Sequence, residues 1–168
     1  AQYLEKAFEI REKVPGVALT TDVICGFPTE TEEEFEETCS LVRQVGFDMI
    51  FTFLFSPRAG TPAAEMEGQL PHEVKVARFE RLSALQNGAA LERNRAWIGK
   101  TLRVLSDGPD EHGIYTGRDT HNKIVRLDGP VPAGTFCTAR IAEAQPYALS
   151  GSVAGAAQKD PVTCGKTR

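Results

Sequence analysis

The sequence predicts two architectures in one chain: the C-terminal portion of a parallel (β/α) barrel over residues 1–93, then a small OB-like β-barrel over residues 94–155. Three observations carry this α/β plus all-β reading. Helical and strand-like periodicities alternate through residues 1–55, short strands punctuated by turn residues fill residues 99–153, and charge divides between the two parts. Residues 1–70 carry 5 Lys and Arg against 13 Asp and Glu, whereas residues 71–168 carry 14 against 10. Such a split points weakly to a polyanionic partner for the basic part.

The first element is a helix, because Leu4, Ala7 and Phe8 share a face between Tyr3 and Lys13 and Pro15-Gly16 ends the pattern. Val17 to Cys25 is short, apolar and β-branched, as expected of a strand buried on both faces. Thr31-Glu32-Glu33-Glu34 has the form of a capping box and opens a second helix, whose apolar positions Phe35, Cys39, Val42 and Val45 run to Gly46. The acidic run at 32–37 is thereby explained as a solvated first turn facing the positive end of the helix dipole. Phe47 to Phe55 reads as a second buried strand. Two parallel strands cannot complete a sheet covered on both faces, so this part is expected to be the end of a larger barrel.

Ser56 to Gln69 is rich in Pro, Gly and Ala and reads as a loop. Pro71 then fits the first position of a long helix reaching about Trp97, with Phe79, Leu82, Leu85 and Ala89 as its apolar stripe. Gly88 lies within it, where glycine costs about 1 kcal/mol relative to alanine. Five strands follow at 101–105, 114–118, 123–127, 136–142 and 147–153, separated by Asp107-Gly108-Pro109, Asp128-Gly129-Pro130 and Ala133-Gly134. Residues 156–168 are small and polar and are expected to be a disordered tail.

Composition narrows the chemistry. With 41% hydrophobic and 25% charged residues among 168, the chain is of ordinary globular type. It has neither an 18-residue apolar run nor an apolar segment of signal-peptide form in residues 1–16, so a cytoplasmic protein without membrane attachment is expected. Cys25, Cys39, Cys137 and Cys164 are scattered without C-x-x-C spacing, so no metal site, cluster site or disulfide is expected of them. No catalytic residue is identifiable from spacing alone.

Ligands in parallel α/β folds gather at the carboxyl ends of strands, which singles out the loop after Cys25, where Gly26 permits close backbone approach. By spacing alone a plain strand-to-helix turn is the more common outcome there, by about two to one. Arg58 fits either a loop salt bridge or a ligand contact, and Arg118, Asn122 and Lys123 fit either a polar hairpin or an RNA surface. Residues 94–155 hold 7 basic against 6 acidic side chains, so charge does not announce RNA binding. His112 and His121 lie in polar turns and are expected to be solvated. Lys75, Arg78 and Arg81 on the long helix form the other basic group.

The string TTDVICGFPTETEEEFEET (residues 20–38) resembles the T-D-x-I-x-G-F-P-x-E-T segment of the radical-SAM methylthiotransferases, and FTFLFSPRAGTPA (51–63) resembles their later F-x-Y-S-x-R-x-G-T-x-A segment. Leu85-Gln86 and Ile98 to Thr101 are similar to the junction into that family's RNA-binding TRAM domain. Gly117 to Val125 (GRDTHNKIV) is similar to the G-R-T-x-x-N-K/R-x-V stretch of its tRNA-modifying branch, and Ile141 to Gly151 matches the closing strands.

The resemblance implies the end of a radical-SAM barrel followed by a TRAM barrel. It implies an enzyme that methylthiolates N6-isopentenyladenosine beside the anticodon, using S-adenosyl-L-methionine and two 4Fe-4S clusters whose ligands lie outside this chain, so that the chain alone would be inactive. It implies the anticodon stem-loop of tRNA and an electron donor as partners, in a monomeric protein. By resemblance, Asp22, Ile24 and Gly26 line the S-adenosyl-L-methionine pocket with Phe53 and Arg58 nearby, and Lys100, Arg118, Asn122 and Lys123 contact RNA. The alternatives are the sister enzyme acting on a ribosomal protein and a non-catalytic RNA-binding module.

Overall fold

The computed structural model describes residues 2–155, so the expected tail at 156–168, with Cys164, lies outside the described residues. The chain divides into two compact units, one up to Ala90 and one from Leu91 onward. The first contains α1 (Gln2–Lys13), β1 (Thr20–Cys25), α2 (Glu32–Val45), β2 (Met49–Leu54) and α3 (Pro62–Glu65), and α4 (His72–Arg95) crosses the division. The second holds β3 (Thr101–Pro109), β4 (Tyr115–Asp119), β5 (Ile124–Leu127), β6 (Phe136–Ala144) and β7 (Ala148–Val153).

β1 and β2 pair in parallel, with Asp22 opposite Phe51 and Ile24 opposite Phe53. Helix α2 begins at the expected capping box: Thr31 accepts from the Glu34 amide and the Glu34 carboxylate accepts from the Thr31 amide. It ends at Gly46, which adopts a left-handed C-cap. Phe35, Cys39, Val42 and Val45 of α2 pack with Ala7, Cys25, Phe47, Ile50 and Leu82 in one core.

The expectation that both strands are buried on both faces is not met. Helical side chains cover one face; on the other Ile24 is 54% and Phe53 52% exposed, and Asp22 and Phe51 are exposed beside them. An apolar run by itself cannot reveal which residues of another element, if any, cover its second face.

The loop after β2 contains the short helix α3, absent from the sequence reading, and the Thr61 hydroxyl before it donates to the Arg58 carbonyl at 2.8 Å. Helix α4 starts one residue after Pro71, whose carbonyl accepts the Lys75 amide, and it runs through Gly88 unbroken. Its end tightens, because the amides of Ala96, Trp97 and Ile98 bond three residues back, which places the α-helical end at Arg95 instead of Trp97.

The second unit is a closed five-stranded barrel in the order β3-β4-β5-β7-β6, with β5 and β7 parallel and the other pairs antiparallel. Strand β3 alternates exposed and buried residues along its length and runs past Leu105 to Pro109 through a bulge at Ser106 and Gly108. The buried Ser106 hydroxyl supports that bulge, donating to the Val131 carbonyl at 2.8 Å and accepting from the Gly108 amide. Val104, Val125, Ala139, Ile141 and Leu149 fill the interior. Gly117 is dictated by space, since a Cβ there would stand 2.4 Å from the Leu105 carbonyl oxygen.

Candidate functional site

At the carboxyl ends of β1 and β2 the first unit carries a cleft of about 480 Å3, lined by Ile24, Phe53, Phe55, Arg58, Thr61 and neighbouring side chains. Strand alternation explains why Ile24 and Phe53 meet: they are register partners on the exposed face. Arg58 joins them from the loop after β2, exposed, with no ion-pair partner among the described residues. The salt-bridge reading of Arg58 thus finds no acid there. Asp22 lies on the same face two residues before Ile24, next to Phe51 in register, but does not line the cleft.

Gly26 is also outside that lining. It is buried at φ +75°, and a Cβ there would come 2.5 Å from Cγ of Lys75. Its amide donates to the Glu30 carboxylate at 2.9 Å. The space that the sequence reading gave to a ligand beside Gly26 is filled by the aliphatic stem of a lysine.

Sequence reasoning missed Glu30, and it read Lys75 and Arg78 as a basic group without their internal partners. Arg78, 5% exposed, donates to both the carboxylate (2.5 Å) and the carbonyl (3.0 Å) of Glu30. Lys75, 9% exposed, donates to the Phe55 carbonyl at 3.2 Å and lies over the Phe55 ring. One turn of α4 therefore holds the ends of both strands. The signal was present, since Lys75 and Arg78 share a helical face with Leu82 of the core. Arg81 is engaged by Glu32 and Glu36, and that pairing holds the Glu32 carboxyl below its usual range. The basic group on α4 is thus committed to internal contacts and is not a free cationic surface.

Cys25, the last residue of β1, is buried in the core. Burial, reinforced by the negative charge of Glu30, pushes its thiol up to about 11. No group of three or more His, Cys, Asp or Glu side chains placed to hold a metal occurs among the described residues, and Cys25 and Cys39 sit in one core while Cys137 sits in the other. These residues do not fit a cluster.

In the barrel, the β4–β5 hairpin gathers the other predicted residues. Asn122 occupies the left-handed region at φ 59°, and the Asp119 carboxylate accepts the amides of His121 and Lys123 across the turn. Arg118 donates to the carbonyl and side-chain oxygens of Asn122, faces the Asp107 carboxylate at 3.9 Å and stays half exposed. Lys123 is turned inward, donating to the buried Asn94 side chain at 3.1 Å, and Asn94 in turn donates to the carbonyls of Gln145 and Pro146. Lys100 lies over the Trp97 ring, and His121 packs on that ring at 5.2 Å while facing Asp119 at 3.0 Å. His121 is therefore partly buried, unlike the solvated turn residue the sequence suggested. His112 matches that expectation.

No family model matches the chain. Curated relatives do. The chain is 46% identical over 155 residues to the tRNA-2-methylthio-N(6)-dimethylallyladenosine synthase of Anoxybacillus flavithermus, covering 90% of the chain and 29% of that protein. It is 44% identical over 154 residues to proteins of the same name from Bacillus cereus and Bacillus anthracis, covering 90% of the chain and 30% of each. The chain is thus homologous, over nine-tenths of its length, to proteins of which it spans about three-tenths.

Proposed function

We propose that the chain is the C-terminal part of a radical-SAM methylthiotransferase that acts on N6-isopentenyladenosine beside the tRNA anticodon. The observation that carries this reading is homology at 44–46% identity to proteins named for that modification, together with a cleft that joins Ile24, Phe53 and Arg58.

S-adenosyl-L-methionine fits this cleft by chemistry. Its adenine needs flat apolar walls, which the exposed Ile24 and Phe53 offer, and its carboxylate needs a cation, which Arg58, without an ion-pair partner among the described residues, offers. When bound with a reduced 4Fe-4S cluster, it supplies the radical chemistry of the reaction. The present residues orient: the Glu30–Arg78 pair and Lys75 fix the two strand ends, and the exposed Ile24 and Phe53 offer an apolar surface that a bound ligand would cover. Asp22, on the same face, lies toward the amino end of the strand. The two clusters and their ligands belong to the remainder of a longer protein in this reading, the electron donor is a separate partner, and the barrel at 94–155 is the TRAM domain, binding the anticodon stem-loop in the cytoplasm.

The test is nucleoside mass spectrometry of tRNA from a strain lacking the gene. Loss of the methylthio group with retention of the isopentenyl precursor is expected. Unchanged tRNA with an unmodified ribosomal protein would transfer the assignment to the sister enzyme.

A further inference from the structure

The outward positions of β3 and β6 carry a chemistry that the rest of the barrel lacks. Register places Arg118, Leu105 and Phe136 in one row across β4, β3 and β6, with Arg103 opposite Thr138 and Thr101 opposite Arg140 in the rows beyond. Adjacent rows of strands lie about 4.8 Å apart, so this is a continuous strip. Leu105 is 38% exposed, Phe136 is partly exposed, and the Arg103 guanidinium carbon stands 4.0 Å from the centre of the Phe136 ring. The outward positions of β3 are Thr101, Arg103, Leu105 and Asp107, and Asp107 stands 3.9 Å from Arg118 at one end of the strip, while β6 adds Arg140 and, beyond it, Glu143.

We propose that this face is a stacking platform for unpaired RNA bases, with Arg103 on Phe136 as its centre, Leu105 beside it, and Arg118 and Arg140 reaching the flanking phosphates. The proposal rests on the reading of the barrel as RNA-binding and moves its centre from the β4–β5 turn to the β3–β6 face. The physical reason is the state of the side chains. Lys123 is turned onto Asn94, whereas Arg103 lies against the Phe136 ring on the outer face of the sheet, a phenyl ring that the β4–β5 turn lacks.

A guanidinium at this distance lies against the ring and adds its own plane to the stack, and every base has a π-face that such a plane accepts. Unstacked loop bases can reach a sheet face, whereas those of an A-form duplex are closed off in its grooves. Arg103 and Arg140 complement the phosphate backbone, with the acids Asp107 and Glu143 confined to the ends of the two strands. Two apolar side chains ringed by arginines are too few for the core of a protein interface, which favours RNA over a protein partner.

The experiment uses the 168-residue chain with two probes, a short RNA hairpin with an unpaired loop and a blunt RNA duplex of equal phosphate number. The wild-type chain is expected to bind the hairpin more tightly. Phe136→Leu and Arg103→Lys, which leave charge unchanged, are each expected to weaken hairpin binding ~5-fold or more while leaving duplex binding and the salt slope unaltered. Near-ultraviolet circular dichroism confirms that each variant keeps its barrel. Unchanged hairpin affinity in both folded variants would overturn the platform and leave the RNA reading standing, whereas a wild-type chain that binds neither probe at low salt would overturn both.

Discussion

Gly26 and Lys75 are in packing contact: a Cβ on the glycine would stand 2.5 Å from Cγ of the lysine, and the glycine backbone is at φ +75°. Two separable penalties follow for any substitution at 26. The left-handed backbone costs an L-residue about 1–2 kcal/mol, and the collision with Lys75 adds to it.

Gly26→Ala is therefore expected to lower stability by about 2–3 kcal/mol, and by less when Lys75 is also replaced by Ala. Urea unfolding of the four proteins of the double-mutant cycle measures this. A coupling near zero would mean that the lysine stem moves aside freely.

The Glu30–Arg78 pair is nearly shielded from water, with side-chain exposures of 14% and 6%. Removing one partner of such a pair leaves a buried charge, a loss of about 3–5 kcal/mol, while replacing both removes the imbalance. Arg78→Met is expected to lower the unfolding midpoint strongly, and Glu30→Gln with Arg78→Met less so. Equal losses in the single and double variants would show that the ion pair itself is unimportant.

Cys25 gives a pH signature. Its folded thiol is raised to about 11, while an unfolded thiol ionises near 9. Between those values the unfolded state holds fewer protons, so stability is full below about pH 9 and declines as pH rises toward 11, by at most about 3 kcal/mol. Cys25→Ala should flatten part of that decline, measured as denaturation midpoints at pH 8 and 10.5. An identical decline in the variant would place the effect elsewhere.

For the cleft, Arg58→Ala in the longer protein is expected to weaken S-adenosyl-L-methionine binding ~10-fold or more by equilibrium dialysis, since a charge-assisted contact is worth about 1.5–3 kcal/mol. Stability should change little, because the side chain is exposed and has no ion-pair partner among the described residues. Undiminished affinity would remove Arg58 from the cofactor site.

At the hairpin, Asn122→Gly should be neutral to stability and Asn122→Val should cost more than about 1 kcal/mol, because the left-handed conformation is open to glycine and strained for a branched residue. Thermal unfolding decides. A destabilising glycine would mean that the Arg118 contacts to the Asn122 side chain dominate over the turn.

Local chemistry made much of this protein legible in advance. The capping box at Thr31 and Glu34, the left-handed stop at Gly46, the parallel pair β1–β2 and five barrel strands near their observed positions all follow from interactions within a few residues or from period-two and period-3.6 patterning. One site for Ile24 and Phe53 was implied by the family resemblance and not by patterning, and the register of the paired strands puts both on one face. What alternation could not supply was the neighbour across space. That Lys75 fills the volume beside Gly26, that Arg78 binds Glu30 from 48 residues away, that Lys123 turns to Asn94, and that Arg103 meets Phe136 from another strand were decided by tertiary packing, since each joins elements whose approach no local periodicity encodes.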